Sequence, residues 1–340
     1  SDVCSSDLIK NHTTQKYKAV CKVRSRVRFA LTGTPVENRL GELWSIFSFL
    51  MPGYLPPYKS FCSRFEKPIV QEEDQTAVRR LNQLTGPFIL RRMKADVLKE
   101  LPPKTENVYR IELEEEQRKL YLAAVVDARE KLQAAKPEDK MAVFAVLMRL
   151  REICCDPRLI ADNWEGGSAK LDACAELVSS AVEGGHRILL FSQFTSMLEL
   201  LAKRLDAEGI SHFTLQGSTP KPVRAELVRR FNGGEVSVFL ISLRAGGTGL
   251  NLTAADIVIH YDPWWNVAAQ NQATDRAYRI GQQNPVQVYK LIAQDTIEEK
   301  IVELQQAKQS LADTVTGTAD GAILSMRPDE LLQLLEGSEP

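Results

Sequence analysis

Two arginines spaced three residues apart, Arg276 and Arg279, are suited to phosphate chemistry. They lie in the segment DRAYRIGQ, where the i, i+3 spacing puts both side chains on one face of a predicted helix. Such a pair can hold a surface carboxylate, and the pair taken alone favours that interpretation. It can also stabilise the γ-phosphate of a nucleotide at a domain interface, where arginine fingers contribute roughly 10³–10⁵ to the rate of hydrolysis.

A glycine-rich loop, AGGTGLN at residues 245–251, follows a continuous apolar run. It matches neither G-x-x-x-x-G-K-[ST] nor G-x-G-x-x-G, so it is not a standard nucleotide-binding loop. Its backbone N–H groups could contact the phosphates of a nucleic acid, and a close-packed turn is an equal alternative. The 340 residues contain no G-x-x-x-x-G-K-[ST] motif elsewhere.

Trp264 and Trp265 follow the step Asp262-Pro263 at the end of a predicted buried strand. Ligand sites of open α/β sheets gather at strand ends of this kind. We expect one ring to fill the core and the other to be exposed, where it could stack against nucleic acid. Packing of both rings is an equal alternative.

Two further loops carry hydroxyl and backbone N–H groups at predicted strand ends. GSTP, residues 217–220, precedes a helix predicted to begin near Val223, and Lys221 and Arg224 add positive charge. Helix starts bind anions through their dipole and free N–H groups, although a cap that serves only its own helix is the alternative. LTGTP, residues 31–35, is a weaker signal, because many strands end in such a turn.

The elements that position these groups alternate between apolar strands and helices from residue 169 to residue 294. RILLFSQF, VSVFLIS, DIVIHYD and VQVYKLIA lack polar–apolar alternation, which predicts strands buried on both faces of a parallel sheet, and hence an α/β fold. Upstream, FALTGTP predicts a strand, GELWSIFSFLMP predicts a helix ended by Pro52, and residues 90–163 are predicted to be mostly helical. Thr296 and Glu299 predict a capping box at the start of a later helix.

The composition limits the classes of protein to which this chain could belong. The net charge is −1, because 43 Lys and Arg face 44 Asp and Glu, so a surface for nucleic acid has to be a local cluster. No apolar run reaches membrane-spanning length, and no signal peptide opens the sequence. The six cysteines have no CxxC spacing, which favours free thiols and predicts no bound metal.

Several segments together resemble the Swi/Snf family of DNA translocase ATPases, in order and at suitable spacing, from about residue 9 to residue 306. They are ALTGTPVENRLGELWSIFSFLMPG, FILRRMKADVLKELPPKTE, LREICCDPRLI, FSQFTSMLELLAKRL, LQGSTP, ISLRAGGTGLNL and QATDRAYRIGQ. The motor of that family has two RecA-like lobes, with ATP between them and duplex DNA across both. The resemblance implies that residues 9–95 are the end of lobe one, 96–165 a helical region and 166–295 lobe two. Helices at 296–340 would pack on lobe two, and residues 1–8 are unmatched.

The resemblance also implies roles for individual residues. Arg276 and Arg279 would be the arginine fingers. Contacts to the ATP site or the lobe interface would come from Thr32, Gly33, Thr34, Gly247, Gly249, Gln272 and Asp275, with further inter-lobe contacts from Arg91, Arg92 and Lys94. Contacts to DNA would come from Gln193, Gly217, Ser218, Thr219, Arg244, Gly246, Trp265 and Asn266.

The sequence departs from the family pattern near its start. The acidic pair that binds Mg²⁺ in the family would fall at Cys4 and Ser5, and neither offers the carboxylate oxygen that Mg²⁺ prefers. The family's Gly-Lys-Thr loop is absent, and Val267 stands where the family usually has proline. The intact motor would use ATP and Mg²⁺, whereas we expect this chain alone to bind neither and to be inactive as an ATPase.

The implied function is ATP-dependent translocation along double-stranded DNA, gripped through its backbone and without strand separation. The implied partners are duplex DNA and the rest of lobe one, while a protein target on the DNA is left open and a membrane is not expected. The compact lobe two favours a bacterial protein of the cytoplasm and nucleoid. The alternative is a non-catalytic helicase-lobe module that binds DNA or protein, and RRMKADV and LPPK disfavour an RNA-acting helicase.

Overall fold

The computed structural model describes residues 9–32, 40–72, 74–90, 92, 98, 100–136, 139–161, 163–243, 245, 249–312 and 328–336. The chain divides into two compact units: unit one is residues 1–97 with 306–321, and unit two is residues 98–305 with 322–340. Within the described ranges, no helix is both long enough and apolar enough to cross a membrane.

Unit one is helical in its described residues. Its first helices are α1 (Gln15–Cys21), α2 (Leu40–Leu50), α3 (Tyr58–Phe61), α4 (Lys67–Gln71) and α5 (Gln75–Thr85), and a π-helical turn (Cys62–Glu66) joins α3 to α4. Helix α2 ends close to the predicted position, since Pro52 follows it and Gly53 adopts a left-handed φ of +84°. The core consists of apolar side chains from these helices and their connections: Leu40, Leu43, Phe47, Leu55, Phe61, Phe65 and Leu81.

The strand predicted in FALTGTP is absent from the described part of that segment. Residues 27–32 are neither helix nor strand, and the side chains of Phe29 and Leu31 are exposed. A strand needs a neighbour for its backbone hydrogen bonds, and no described residue of unit one is in a strand. The described residues of this apolar run are therefore not part of a strand.

Unit two is built on a six-stranded sheet with the order β1-β6-β5-β2-β4-β3. The strands are β1 (Lys104–Ile111), β2 (Ile188–Ser192), β3 (His212–Leu215), β4 (Val238–Ser242), β5 (Ile257–His260) and β6 (Val286–Ala293). All neighbouring strands pair in parallel. The predicted α/β fold with a parallel sheet is confirmed, and β2, β4, β5 and β6 are the four strands predicted from continuous apolar runs.

The remaining helices complete the layers around this sheet. They are α6 (Glu115–Ala134), α7 (Lys140–Cys155), α8 (Ala169–Glu183), α9 (Thr195–Ala207), α10 (Lys221–Asn232), α11 (Val267–Thr274), α12 (Ile297–Ala312) and α13 (Pro328–Glu336). Successive residues of one strand enter different cores: Ile188 packs in the core that includes α8 and α9, and Leu189 packs in the core that includes Phe231 of α10. Burial on both sides explains why the sequence of β2 does not alternate. A third core joins α6 and α7 to α13 and the start of α12.

Strand β1 corrects the prediction that residues 90–163 are mostly helical. Only Ile111 of its eight residues is buried, so β1 has no apolar run that would mark it as a strand. It lies at the edge of the sheet and pairs with β6 in register from Lys104–Val286 to Ile111–Ala293. Residues 104–111 form a strand because they pair with a distant segment, and not because of their local strand propensity.

Candidate functional site

The carboxylate of Asp262 is buried where two neighbouring strands end. Asp262 follows β5, and Ser192 is the last residue of β2. The Asp262 Oδ1 atom accepts a hydrogen bond from Ser192 Oγ (2.6 Å), and both carboxylate oxygens accept from the backbone N–H of Gln193 (3.2 and 3.3 Å). Burial raises the pKa of Asp262, while Arg151 and Ser192 oppose that shift. This carboxylate therefore fixes the strand ends at which ligands bind in such sheets.

Gln193, a predicted DNA contact, is half-buried at this edge. Its backbone is held by Asp262, but its side-chain Nε2 atom is buried and has no hydrogen-bond partner among the described residues. A buried amide donor without an acceptor costs about 1–3 kcal/mol. The Gln193 amide is therefore a donor that an oxygen atom of a ligand could satisfy.

The two tryptophans are both packed, so the expectation that one ring is exposed is wrong. Trp265 is 7% exposed and lies in the core of α6 and α7, where its ring centroid is 6.0 Å from that of Phe144. Trp264 is half-buried between that core and the core of the sheet. The guanidinium of Arg151 lies 4.5 Å from the Trp265 ring centroid and helps to keep this ring inside. Burial disfavours direct stacking of Trp265 on DNA, and its assignment to the DNA site stays a prediction.

Asn266 is the N-cap of helix α11. Its side-chain Oδ1 atom accepts a hydrogen bond from the backbone N–H of Ala269 at 2.6 Å. The residue is 8% exposed. Capping accounts for asparagine at this position, and a DNA contact from Asn266 stays a prediction.

Arg276 and Arg279 lie in a series of turns, so the prediction that they share a helical face is wrong. Helix α11 ends at Thr274, and residues 275–281, named here the arginine turn, follow it. The backbone N–H of Arg276 donates to the carbonyl of Ala273 at 3.1 Å, only three residues back. The carbonyl of Arg276 accepts from the N–H of Leu252 at 3.0 Å, which diverts it from the helical hydrogen-bond ladder.

The two guanidinium groups of the arginine turn differ in access. Arg276 is 8% exposed, whereas Arg279 is half-buried and donates from Nη1 to the carbonyl of Leu250 at 3.3 Å. Gln272 and Asp275, which precede them, are also half-buried. Arg279 is therefore the more exposed of the two arginines.

A neutral histidine anchors the end of helix α11 to the sheet. The Nε2 atom of His260 in β5 lies 2.9 Å from Thr274 Oγ1, and the ring stacks on Phe191 with a centroid distance of 5.6 Å. Burial lowers the pKa of His260 to about 3. This hydrogen bond fixes the residue from which the arginine turn departs.

The loop of residues 217–219 follows β3 and precedes α10. Gly217 and Ser218 are exposed, and Thr219 is half-buried. The guanidinium of Arg224 donates to the carbonyl oxygens of Gly217 and Thr219, both at 2.8 Å, so it shapes the loop. Helix α10 begins at Lys221, two residues before the predicted start, and no side chain caps it. Pro222 has no N–H group, so the first turn of this helix offers fewer backbone donors to an anion than most helix starts do.

The other predicted site residues are placed only in part. Thr32 is half-buried, Arg92 is exposed, and Gly249 is exposed with a left-handed φ of +51° that favours glycine. The remaining predicted residues lie outside the described residues: Gly33, Thr34, Arg91, Lys94, Arg244, Gly246 and Gly247.

In the described ranges, no group of three or more His, Cys, Asp or Glu side chains could hold a metal ion. The described cysteines are free, and burial raises the pKa of the Cys174 thiol to about 12.

Sequence reasoning missed two residues of this site, Arg151 and Asp262. The strand-end position of Asp262 predicts no role for its own side chain, although an acid after an apolar run at a strand end is a recognisable signal. Arg151 stands in the run MAVFAVLMRLREI, where Leu147, Leu150 and Arg151 are spaced to share one helical face, and a charged residue on an apolar face predicts a buried partner. The partner itself lies 111 residues away in sequence, so spacing could not identify it.

Comparisons with known proteins agree with this architecture. Residues 6–159 match the SNF2-related domain, and residues 169–281 match the helicase conserved C-terminal domain. The SWI2/SNF2 ATPase core of Sulfolobus solfataricus, solved in complex with double-stranded DNA, is 34% identical with a TM-score of 0.60, covering 98% of this chain and 71% of that one. A putative ATP-dependent helicase/translocase of Bacillus subtilis (strain 168) is 40% identical, covering 96% of this chain and 36% of that protein.

A mammalian relative is similar to the same extent. The SWI/SNF-related matrix-associated actin-dependent regulator of chromatin subfamily A member 1 of Mus musculus is 37% identical, covering 96% of this chain and 33% of that protein. The chain thus spans about a third of the length of the curated relatives it matches.

The parallel sheet with its flanking helices places unit two in the class of RecA-like helicase lobes. Relatives across nearly the whole chain are ATP-dependent helicases of one family. The chain belongs to the SWI2/SNF2 family of ATPases.

Proposed function

We propose that this chain is the C-terminal part of the motor of an ATP-dependent translocase on double-stranded DNA. The observation that carries the proposal is the common edge of the sheet in unit two: Gln193, whose buried Nε2 atom has no hydrogen-bond partner among the described residues, follows β2, and the 217–219 loop, with Gly217 and Ser218 exposed, follows β3. The double-stranded DNA bound by the related ATPase core supports the choice of ligand. Contacts to phosphates rather than bases would make the grip independent of sequence.

For the nucleotide, we propose that the chain supplies cations rather than a complete site. The guanidinium of Arg279, with Arg276 behind it, would stabilise the charge that develops on the γ-phosphate. Bound Mg²⁺–ATP would supply the phosphoryl group whose hydrolysis drives the motor. The 340 residues contain no phosphate-binding loop motif, and the described carboxylates form no metal group. By this proposal the chain alone does not hydrolyse ATP.

We also propose boundaries for the domains and a location in the cell. Lobe one would end near residue 95, the helical region would span residues 96–165, and lobe two would span residues 166–295. With double-stranded DNA as the track, the protein would work on the nucleoid in the cytoplasm of a bacterium.

The test is phosphate release from ATP by the 340-residue chain, with and without duplex DNA. We expect no release above background in either condition, together with measurable binding of the chain to duplex DNA. Release stimulated by DNA would contradict the proposed division of the nucleotide site. Absence of both release and DNA binding would instead favour a module that binds protein.

The same assay identifies the arginine finger in a form of the protein that includes the family's phosphate-binding loop. Arg279→Ala should lower DNA-stimulated hydrolysis about 10³-fold or more while duplex binding is retained. Arg229→Ala is the matched control, because Arg229 is an exposed arginine paired with Glu226. Equal loss of hydrolysis and of DNA binding in Arg279→Ala would show a folding role and end the assignment.

A further inference from the structure

Arg151 is a fully buried cation in unit two. It lies in α7, and its Nη2 atom donates to the carbonyl of Pro263 at 2.5 Å and approaches Asp262 Oδ2 at 3.4 Å. In the part of the chain that the structure describes, its Nε and Nη1 atoms have no hydrogen-bond partner. A buried charge with so few hydrogen bonds is costly, so its surroundings have to compensate in another way.

Three aromatic rings surround this guanidinium. Its Cζ atom lies 4.5 Å from the ring centroid of Trp265, 5.7 Å from that of Phe194 and 6.0 Å from that of Trp264. Cation–π contacts are stronger at desolvated sites than at exposed ones. Phe194 belongs to the β2 loop (residues 193–194), and both tryptophans belong to the β5 loop (residues 262–266). Arg151 thus contacts two loops at once from a helix that is part of neither.

Asp262 extends this contact into the backbone of the β2 loop. It accepts hydrogen bonds from Ser192 Oγ and from the Gln193 N–H, and Ser192 Oγ in turn accepts from the N–H of Phe194 at 3.2 Å. The β5 loop begins with Asp262 itself. One charge pair and its hydrogen bonds therefore fix the β2 loop relative to the β5 loop.

We propose that Arg151 is a positioning residue for the DNA-binding edge of the sheet. Through Asp262 and the three rings, it holds the loops that carry Gln193 and Asn266 in the arrangement that grips the DNA backbone. The DNA contact rests on the proposed function, but the positioning can be measured without DNA. Besides packing in its own core, helix α7 thereby sets the geometry of the neighbouring sheet edge.

A second buried ion pair provides a matched control. Lys170 of α8 and Glu298 of α12 are both fully buried, with Nζ and Oε2 2.5 Å apart. Glu298 also accepts a hydrogen bond from the N–H of Ala293 at 2.9 Å. The hydrogen bonds of this pair lie outside the β2 and β5 loops, so its loss tests the general effect of removing a buried pair.

The first measurement is hydrogen exchange of the folded chain without DNA. The variant Arg151→Met/Asp262→Asn removes both charges, so neither is left buried without its partner, and Lys170→Met/Glu298→Gln is the control. We expect the amides of Gln193 and Phe194 to exchange about tenfold faster in the first variant and at the wild-type rate in the control. Unchanged exchange at these amides in a folded first variant would overturn the inference.

Folding is checked by thermal melting of each variant. Where the double variant has no cooperative transition, Arg151→Lys serves instead, because it retains the charge but lacks the planar fork that contacts both loops. Faster exchange confined to the β2 and β5 loops is again the expected result. Uniformly faster exchange throughout unit two would show a general packing role and would contradict positioning.

The second measurement is binding to a short duplex over a range of salt concentrations. We expect the Arg151→Met/Asp262→Asn variant to bind about tenfold more weakly with the wild-type log–log salt slope, because Gln193 and Asn266 are uncharged and neutralise no phosphate, and the control to match the wild type. Wild-type affinity in a variant with loosened loops would contradict the inference. Failure of the wild type to bind DNA, with the expected exchange pattern, would remove the proposed function and leave the positioning intact.

Discussion

The imidazole of His260 is held neutral by its surroundings. It is fully buried in β5, and burial lowers its pKa from an ordinary value of 6.5 to about 3, with Lys290 acting in the same direction. Below about pH 6.5 the unfolded chain takes up a proton at this residue, whereas the folded chain does not until about pH 3. The free energy of unfolding therefore falls as the pH falls through this window.

This ionisation gives a prediction for stability against pH. Through His260 alone, the free energy of unfolding should fall by about 1.4 kcal/mol per pH unit in the lower part of the window. His260→Gln cannot take up the proton and should show a dependence shallower by that amount between pH 5.5 and pH 4. Denaturant unfolding at stepped pH measures the difference, and equal slopes in the two proteins would contradict a buried neutral His260.

At the scale of residues, the sequence predicts the chemistry of a side chain better than its burial and its contacts. The motifs predict phosphate contacts for Arg276, Arg279 and Gln193, but the burial of Arg276 depends on contacts with a distant segment. The packing of Trp265 depends on the cation of Arg151, which lies 111 residues before Asp262 in the same network. Such partners are set by tertiary packing and leave no signal in local spacing.

At the scale of elements, prediction succeeded where a strand is covered on both faces. The apolar runs of β2, β4, β5 and β6 mark them directly, whereas β1 is exposed along most of its length and depends on pairing with β6. At the start of α12, the sequence predicts the capping residues but not their exact hydrogen-bond partners. Thr296 accepts from the N–H of Glu298 at 3.2 Å, and Glu299 accepts from the N–H of Asp295 at 3.0 Å. The predicted capping residues are used, but with partners shifted by one residue.

The start of helix α11 gives a prediction that separates two roles of Asn266. Asn266→Ala removes the cap and should lower the free energy of unfolding by about 1 kcal/mol, whereas Asn266→Ser retains a capping oxygen and should stay close to the wild type. Chemical denaturation measures both variants. Duplex binding that is unchanged in Asn266→Ser would show that asparagine serves the helix alone, and weaker binding at wild-type stability would support the predicted DNA contact.

At the scale of the whole molecule, a net charge of −1 leaves no general attraction to DNA. Exposed arginines of α10 are already paired with acids, as in Arg229–Glu226 and Arg230–Glu235. Binding should therefore depend on a small set of phosphate contacts. We expect duplexes of unrelated sequence to bind within about twofold of one another, and affinity to fall with salt with a log–log slope of about −0.9 for each phosphate that a Lys or Arg neutralises. Titrations by fluorescence anisotropy measure both, and a strong sequence preference would contradict a backbone grip.

The edge position of β1 has a consequence for the order in which the chain is made. Its strand neighbour is β6, so during synthesis residues 104–111 cannot pair in the sheet until residues 286–293 have emerged from the ribosome. The ion pair of Lys170 likewise cannot form until Glu298 has been synthesised. A fragment cut at residue 281, where the helicase C-terminal match ends, would lack both partners. The point at which this similarity stops is therefore not a point at which the nascent protein can finish folding.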